Sequence, residues 1–161
     1  MRFEMARVGE YLSLVKGISY TSKDLVDDSQ QGLLTINAFT LGGGFKPNSE
    51  KPFGGNIQSK FKLVNGDVLL AMTEQDYGLL ASPLVINLEE TSFETLTYSL
   101  DVAKVEILNE GLLPQFLFNV LRVPAFRARA AYGDSGSTVQ RLPYDALLEQ
   151  LVPLPELKVQ G

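Results

Sequence analysis

The chain has 161 residues, enough for one domain with its own core and too few for two comfortable ones. It holds no cysteine and no histidine, so disulfides and thiolate metal sites are excluded, and serine triads and Cys–His pairs lack their base. A mean hydropathy near zero, with no apolar run approaching the ~20 residues of a bilayer span, leaves an ordinary globular composition whose expected location is the cytoplasm. Met1-Arg2-Phe3-Glu4-Met5 lacks the apolar core of a secretory signal.

Taken in chain order, Val8 to Val15 turns at Gly9 and then reads as a strand ending at Lys16-Gly17. Thr21-Ser22-Lys23-Asp24 has the spacing of a capping box and predicts a short helix over 23–26. Leu33 to Phe39 is β-rich and stops at the triple glycine Gly42-Gly43-Gly44. Phe45 to Ile57, with Pro47, Pro52, Gly54 and Gly55, reads as a long exposed loop. Asn65-Gly66 is a turn, followed by a buried strand over 67–72 and a polar loop over 73–82. Further strands are expected at 84–88, 95–100 and 103–108. Pro114 then opens a helix whose Leu113, Phe116, Leu117, Val120 and Leu121 recur at helical spacing. A second short helix follows Pro124 and carries Arg127 and Arg129. After a loop over 133–138, a helix over 143–150 leads to an extended Leu151-Val152-Pro153-Leu154-Pro155. The predicted fold class is α+β: a compact mixed domain with about six short strands in a twisted sheet and three or four short helices.

A net charge of −5 argues against a nucleic-acid partner, but the charges are unevenly distributed. Between Leu41 and Lys62, four lysines (46, 51, 60, 62) face the single acid Glu50. Between Arg122 and Arg141, four arginines (122, 127, 129, 141) face Asp134 alone. Across 63–121 the balance reverses, with Lys104 against nine acids. Two basic segments on an acidic body suggest a basic face, the alternative being chance clustering of solvated charges.

Several catalytic signatures fail. Gly133-Asp134-Ser135-Gly136-Ser137 lacks the last glycine and the histidine of a nucleophile elbow. The triple glycine is followed by Phe45-Lys46-Pro47 and not by the Gly-Lys-Ser/Thr of a phosphate-binding loop. Asp27-Asp28 and Glu89-Glu90 are adjacent, so on a strand they point to opposite faces and read as solvated surface. Glu74 and Asp76 share a face without any further signature.

The segment from Ala131 to Gln140, followed by Arg141-Leu-Pro-Tyr-Asp-Ala-Leu-Leu-Glu-Gln-Leu-Val-Pro-Leu-Pro155, resembles the target recognition domain of specificity subunits from type I restriction–modification enzymes. Such domains close with a Gly-Ser-Thr-Gln-like loop, a short helix and an Ile/Val-Pro-Leu-Pro strand. Val8-Gly9-Glu10 with Val15-Lys16-Gly17 is similar to the family's opening. Asn65-Gly66-Asp67 with Val68 to Thr73 is similar to its central Gly-Asp strand, and Pro114 to Leu121 to the helix before the closing loop. The resemblance covers nearly the whole chain in one order. Two departures stand out: Val139 interrupts Gly-Ser-Thr-Gln, and Glu156-Leu-Lys-Val-Gln160 replaces the usual proline and Glu-Gln pair. The resemblance implies a single recognition domain over 1–155, with 156–161 as the start of a truncated spacer helix.

It implies no catalysis and no cofactor or metal, but a reader of one half of a split double-stranded DNA target, working with a methyltransferase (modification) subunit and an endonuclease (restriction) subunit and with no membrane. Side-chain chemistry nominates the contacts. Ser135, Ser137 and Thr138 offer hydroxyls, Gln140 suits adenine, and Arg141 suits guanine or phosphate. Gln75 and Tyr77 are candidates in the 73–77 loop, whereas Glu74 and Asp76 suit only a cytosine amino group. Lys46, Lys51, Lys60, Arg127 and Arg129 suit phosphate. Without the resemblance, the closing loop reads first as a plain polar helix-to-strand turn. The competing functional reading is a protein–protein docking or inhibitor module that never touches DNA, which an isoelectric point of 4.8 suits; a small carboxylate enzyme is the third.

Overall fold

The computed structural model describes residues 4–74, 77–132, 141–142 and 144–161. Its organising element is the strand expected after Asn65-Gly66, here β5 (Val68–Ala71). It lies inside a four-stranded antiparallel sheet of order β2-β8-β5-β6, with β2 (Leu12–Lys16), β8 (Val102–Ile107) and β6 (Pro83–Val85). Val-Leu-Leu-Ala shows no polar alternation because both of its faces are covered. Val68, Leu70 and Met72 enter one core with Ala103 and Val105; Leu69 and Ala71 enter a second with Leu84 and Val102. The period of two in a pleated strand thus splits one sequence between two cores.

The first core is closed by helices. In α1 (Pro114–Leu121) the proline sits in the first turn, where a missing N–H costs nothing, and Leu117 and Leu121 are buried. It is followed by α2 (Pro124–Tyr132), which buries Phe126, Ala130 and Ala131, and by α3 (Tyr144–Leu148), which buries Leu147. The second core is closed by a three-stranded sheet of order β4-β3-β7, with β3 (Gln31–Leu34), β4 (Lys51–Pro52) and β7 (Thr95–Tyr98). Its β3–β7 pair is parallel. Tyr98 lies wholly buried between the layers, and its hydroxyl donates to Val15 O at 3.2 Å. Burial raises the Tyr98 phenol well above its ordinary pKa, so it stays a neutral donor. A two-stranded ribbon, β1 (Glu4–Arg7) with β9 (Leu151–Leu154), ties the two ends of the chain together.

The α+β class holds, but among the described residues the strands number nine and form three sheets, where about six in one sheet were expected. The region read as an exposed loop, Phe45 to Ile57, contains β4 and the buried Phe53. Gln31 Nε2 donates to Phe53 O at 3.2 Å and Gly55 O at 2.8 Å, pinning that segment to β3. Pro52 is tolerated there because β4 is an edge strand. The capping box is real, with Thr21 N–H on Asp24 Oδ2 at 2.8 Å and Lys23 N–H on Thr21 Oγ1 at 3.3 Å, but it encloses a single 3-10 turn, Ser22–Asp24.

After β9 the chain forms one helical turn, α4 (Leu157–Gln160). Gln160 is buried and its amide is fully used. Nε2 donates to Gly111 O at 2.8 Å and Pro155 O at 2.9 Å, while Oε1 accepts from Leu113 N–H at 2.8 Å. This side chain fixes the last turn against the segment that leads into α1.

Candidate nucleic-acid interface

Beyond β5 the chain runs through Met72 and Thr73 into the 73–82 loop. Thr73 forms an antiparallel bridge with Arg141, and Leu142 N–H donates to Met72 O at 2.7 Å. The end of the closing segment is therefore sewn onto the start of this loop. Half-buried Glu74 is tied into the loop through one carboxylate oxygen. Its Oε2 accepts from the Tyr132 hydroxyl at 2.6 Å, from Gly78 N–H at 3.1 Å and from Leu80 N–H at 3.4 Å. Tyr132, the last residue of α2, is 9% exposed and stacks on Tyr77 with ring centroids 5.0 Å apart and planes 14° apart. Tyr77 remains 71% exposed. Burial and the hydrogen bond to Glu74 push the Tyr132 phenol up to about 12, so it donates throughout the neutral range.

The loop closes through Ala81, wholly buried at φ +62°, whose N–H donates to Ala71 O at 2.9 Å. A left-handed alanine costs about 1 kcal/mol, and here a buried hydrogen bond holds it. The triple-glycine loop packs beside the same end of the sheet. Gly44 N–H donates to Pro83 O at 2.9 Å. At Gly43, φ is +107° and a Cβ would lie 3.1 Å from both Arg122 Cγ and Pro83 Cδ, so only glycine fits. Leu41 Cδ1 in turn lies 3.6 Å from where a Cβ of Gly78 would stand. Three segments far apart in sequence thus meet at one end of the central sheet.

Of the nominated side chains, Tyr77 and Arg141 belong to this cluster, both exposed. Exposed Lys46 leaves the triple-glycine loop, its N–H on Ala38 O at 2.8 Å. Arg129 is exposed on α2, one turn before Tyr132, with its guanidinium 5.9 Å from the Phe126 ring. Lys51 and Lys60 lie with the outer sheet instead: Lys51 pairs with Leu33, and Lys60 Nζ sits 4.8 Å over the Phe61 ring. Gln75, Ser135, Ser137, Thr138 and Gln140 lie outside the described residues.

Arg127 is corrected. It is 7% exposed, and its Nη1 donates to Leu121 O at 3.0 Å and Arg122 O at 2.8 Å, the carbonyls that end α1. Burial lowers its pKa from the ordinary value, yet a guanidinium stays charged under any ordinary condition. A phosphate would have to pull it out of the helix junction, so Arg127 is a structural residue.

Lys16 was absent from the sequence nominations. Exposed at the end of β2, it lines a groove of about 260 Å³ together with Arg141, Asp101, Met72, Leu100 and Leu142. Asp101 is held there by the Ser99 hydroxyl. The groove opens where the Thr73–Arg141 bridge begins the loop cluster, so two cations flank its approach. The only sequence signal was the lysine before Gly17; its meeting with Arg141 is made by the order of strands. Among the described residues no group of acids has a metal-binding arrangement, and no helix is long and apolar enough to cross a membrane.

No protein family matches the sequence, and no curated protein matches it. Solved structures do. The fold is similar to a chain from a study of the complex assembly and conformational transition of the type I R-M system, with TM-score 0.68 and 18% identity over 98% of this chain and 35% of that one. It is similar to the HsdS subunit of Thermoanaerobacter tengcongensis, with TM-score 0.63 and 16% identity over 98% and 34% of the two chains. It is also similar to the type I restriction–modification S subunit of M. genitalium, with TM-score 0.60 and 13% identity over 93% and 33%. At these identities the likeness is one of fold. The chain spans about a third of the length of each of these proteins.

Proposed function

We propose that this chain is a sequence-reading DNA module of the type I specificity-subunit kind, gripping one half of a split target. In this reading it directs partner methyltransferase and endonuclease subunits and performs no chemistry itself. The observation that carries the reading is the likeness in fold to two type I S subunits over 98% and 93% of this chain, at TM-scores of 0.63 and 0.60. The loop cluster supports it: a rigid sheet end that presents an exposed tyrosine, an arginine and flanking cations is suited to base edges and phosphates together.

Tyr77 and Arg141 in the cluster are base-reading candidates, and Gln75, Gln140 and the Ser135, Ser137 and Thr138 hydroxyls, which lie outside the described residues, are candidates on their side-chain chemistry alone. Lys46, Arg129 and Lys16 are the phosphate candidates nearest to the cluster. Lys51 and Lys60 reach phosphate only if the duplex extends over the outer sheet. The overall charge of −5 does not oppose this, because cations that meet the duplex act over about a Debye length, ~10 Å at 0.1 M salt.

Lys16→Ala, Lys46→Ala or Arg129→Ala should weaken binding equally for all sequences and flatten the salt dependence by about one unit each. Gln75→Ala or Gln140→Ala should instead relax preference at one base pair, by roughly 1–3 kcal/mol. Titrations at several salt concentrations separate the two classes, and slopes and preferences that do not move across the set would remove this map.

The reading itself is tested by grafting residues 1–161 in place of one recognition domain of a type I specificity subunit. The hybrid, assembled with its methyltransferase, should protect a split site in which one half is new. A hybrid that assembles but protects only non-specifically would turn the reading towards a docking module.

A further inference from the structure

Tyr77 and Leu41 are the two most exposed large apolar side chains among the described residues, at 71% and 66%, and both stand at Gly78. Tyr77 precedes it in the chain, and Leu41 Cδ1 lies 3.6 Å from where a Cβ of Gly78 would stand. Each has a fixed support. The Tyr77 ring rests on that of Tyr132, whose hydroxyl is bound to Glu74 and to Gly78 N–H. Leu41 sits at the tip of a tight turn closed by three bonds. Thr40 N–H donates to Gly44 O at 3.0 Å, Gly43 N–H to Thr40 O at 3.0 Å, and the Thr40 hydroxyl to Gly43 O at 2.7 Å. Gly42, Gly43 and Gly44 have φ of +86°, +107° and +120°, which only glycine adopts freely. Apart from its chain neighbours, no atom of the described residues lies within 4 Å of where a Cβ of Gly42 would stand, so the tip projects from the body.

Cations flank this turn. Exposed Lys46 follows it in sequence, and exposed Arg122 lays its stem against it, with Cγ 3.1 Å from where a Cβ of Gly43 would stand. Two apolar side chains held out in water beside two cations suit a polyanion that has apolar surface to offer. A DNA duplex offers it at thymine methyls and between its stacked bases.

We propose that Leu41, with Tyr77 beside it, is an apolar wedge that enters the base stack of the duplex at one step and opens it, with Lys46 and Arg122 on the neighbouring phosphates. The proposal rests on the DNA-reading one and adds a second source of specificity. An aliphatic side chain reads no base edge by hydrogen bonding. A wedge selects instead by how easily a step opens, and pyrimidine–purine steps open most easily.

The test uses the full chain and a duplex that it enriches from a randomised library, with 2-aminopurine placed at each adenine in turn. Wild type should brighten the probe at one step, where it loses a stacking neighbour. Leu41→Ala should abolish that signal and weaken binding roughly tenfold, with the urea midpoint unmoved because the side chain is exposed. Leu41→Met should keep most of both, and Tyr77→Ala should dim the signal without moving it to another step. A mismatch at the marked step opens it in advance; it should tighten wild-type binding roughly tenfold and leave Leu41→Ala unchanged. Uracil in place of every thymine removes the methyl groups and should leave the effect of Leu41→Ala as it was.

No brightening at any step, or brightening that survives Leu41→Ala, overturns the wedge. An effect of Leu41→Ala that vanishes with uracil overturns it too, since Leu41 then touches a thymine methyl. So does a Leu41→Ala chain that reads DNA normally but no longer binds a methyltransferase subunit, which makes the patch a protein contact. A wild-type chain that enriches no duplex overturns DNA reading itself, and so the two failures are distinct.

Discussion

Gly17→Ala is expected to unfold much of this domain. A Cβ at Gly17 would stand 2.2 Å from Ser99 O, 2.4 Å from Tyr98 O and 2.6 Å from Ser99 C, and all three are backbone atoms. No rotamer change can relieve such contacts. They arise because β2 runs out beside the end of β7: Ile18 bridges in parallel to Ser99, its N–H donates to Tyr98 O at 2.9 Å, and Gly17 N–H donates to Val102 O at 3.1 Å. This is where the central sheet touches the outer sheet through main chain alone. Forcing a methyl group between them breaks those bonds and opens the second core, which these two sheets enclose, a cost of about 3 kcal/mol or more. A urea midpoint unchanged from the wild type would show that the strands can part there freely. The same substitution displaces Lys16, so DNA binding should fall with stability and not ahead of it.

Arg127→Ala is expected to be the second large loss, at about 2–4 kcal/mol. The guanidinium is nearly buried and closes the carboxyl end of α1 by donating to Leu121 O and Arg122 O. Its removal strands those carbonyls at the α1–α2 junction and opens a cavity beside Phe126. Arg127→Lys should recover part of the loss, because both hydrogen bonds come from Nη1 alone and an ammonium supplies donors, though from a shorter stem. Arg129→Ala is the contrast. That side chain is exposed against Phe126, so stability should barely move while the salt dependence of binding does. If Arg127→Ala kept its unfolding midpoint and lost affinity alone, the original reading of Arg127 as a phosphate ligand would return.

These two residues also show how far the sequence could be read. Elements set by local chemistry were legible. The helical recurrence of Leu117 and Leu121 behind Pro114 placed α1, and Asn65-Gly66 before an unbroken apolar run placed β5. Elements made by pairing with distant partners were not. The β1 strand has no alternation of its own and exists because Arg7 to Glu4 line up with Leu151 to Leu154. The β4 strand hides inside a proline- and glycine-rich stretch because Gln31 and Phe53 lock it to β3. A helix-borne arginine looks solvated whether it ends in water or on a carbonyl, which is why Arg127 was misplaced.

The candidate site divides in the same way. The 73–77 loop was expected from the sequence, but the tie from Tyr132 to Glu74 was not, since that bond spans 58 residues and neither residue advertises the other. Glu74 looked like a free acid and is a staple. Lys16 looked like a strand end and lines one groove with Arg141.

DNA reading is decided by selection from a randomised duplex library with the full chain, at low salt. Enrichment of one short motif is expected, with affinity for it falling steeply as salt rises and its base preferences shifting in Gln75→Ala and Gln140→Ala. Retention of no duplex, or of all sequences equally, would contradict it.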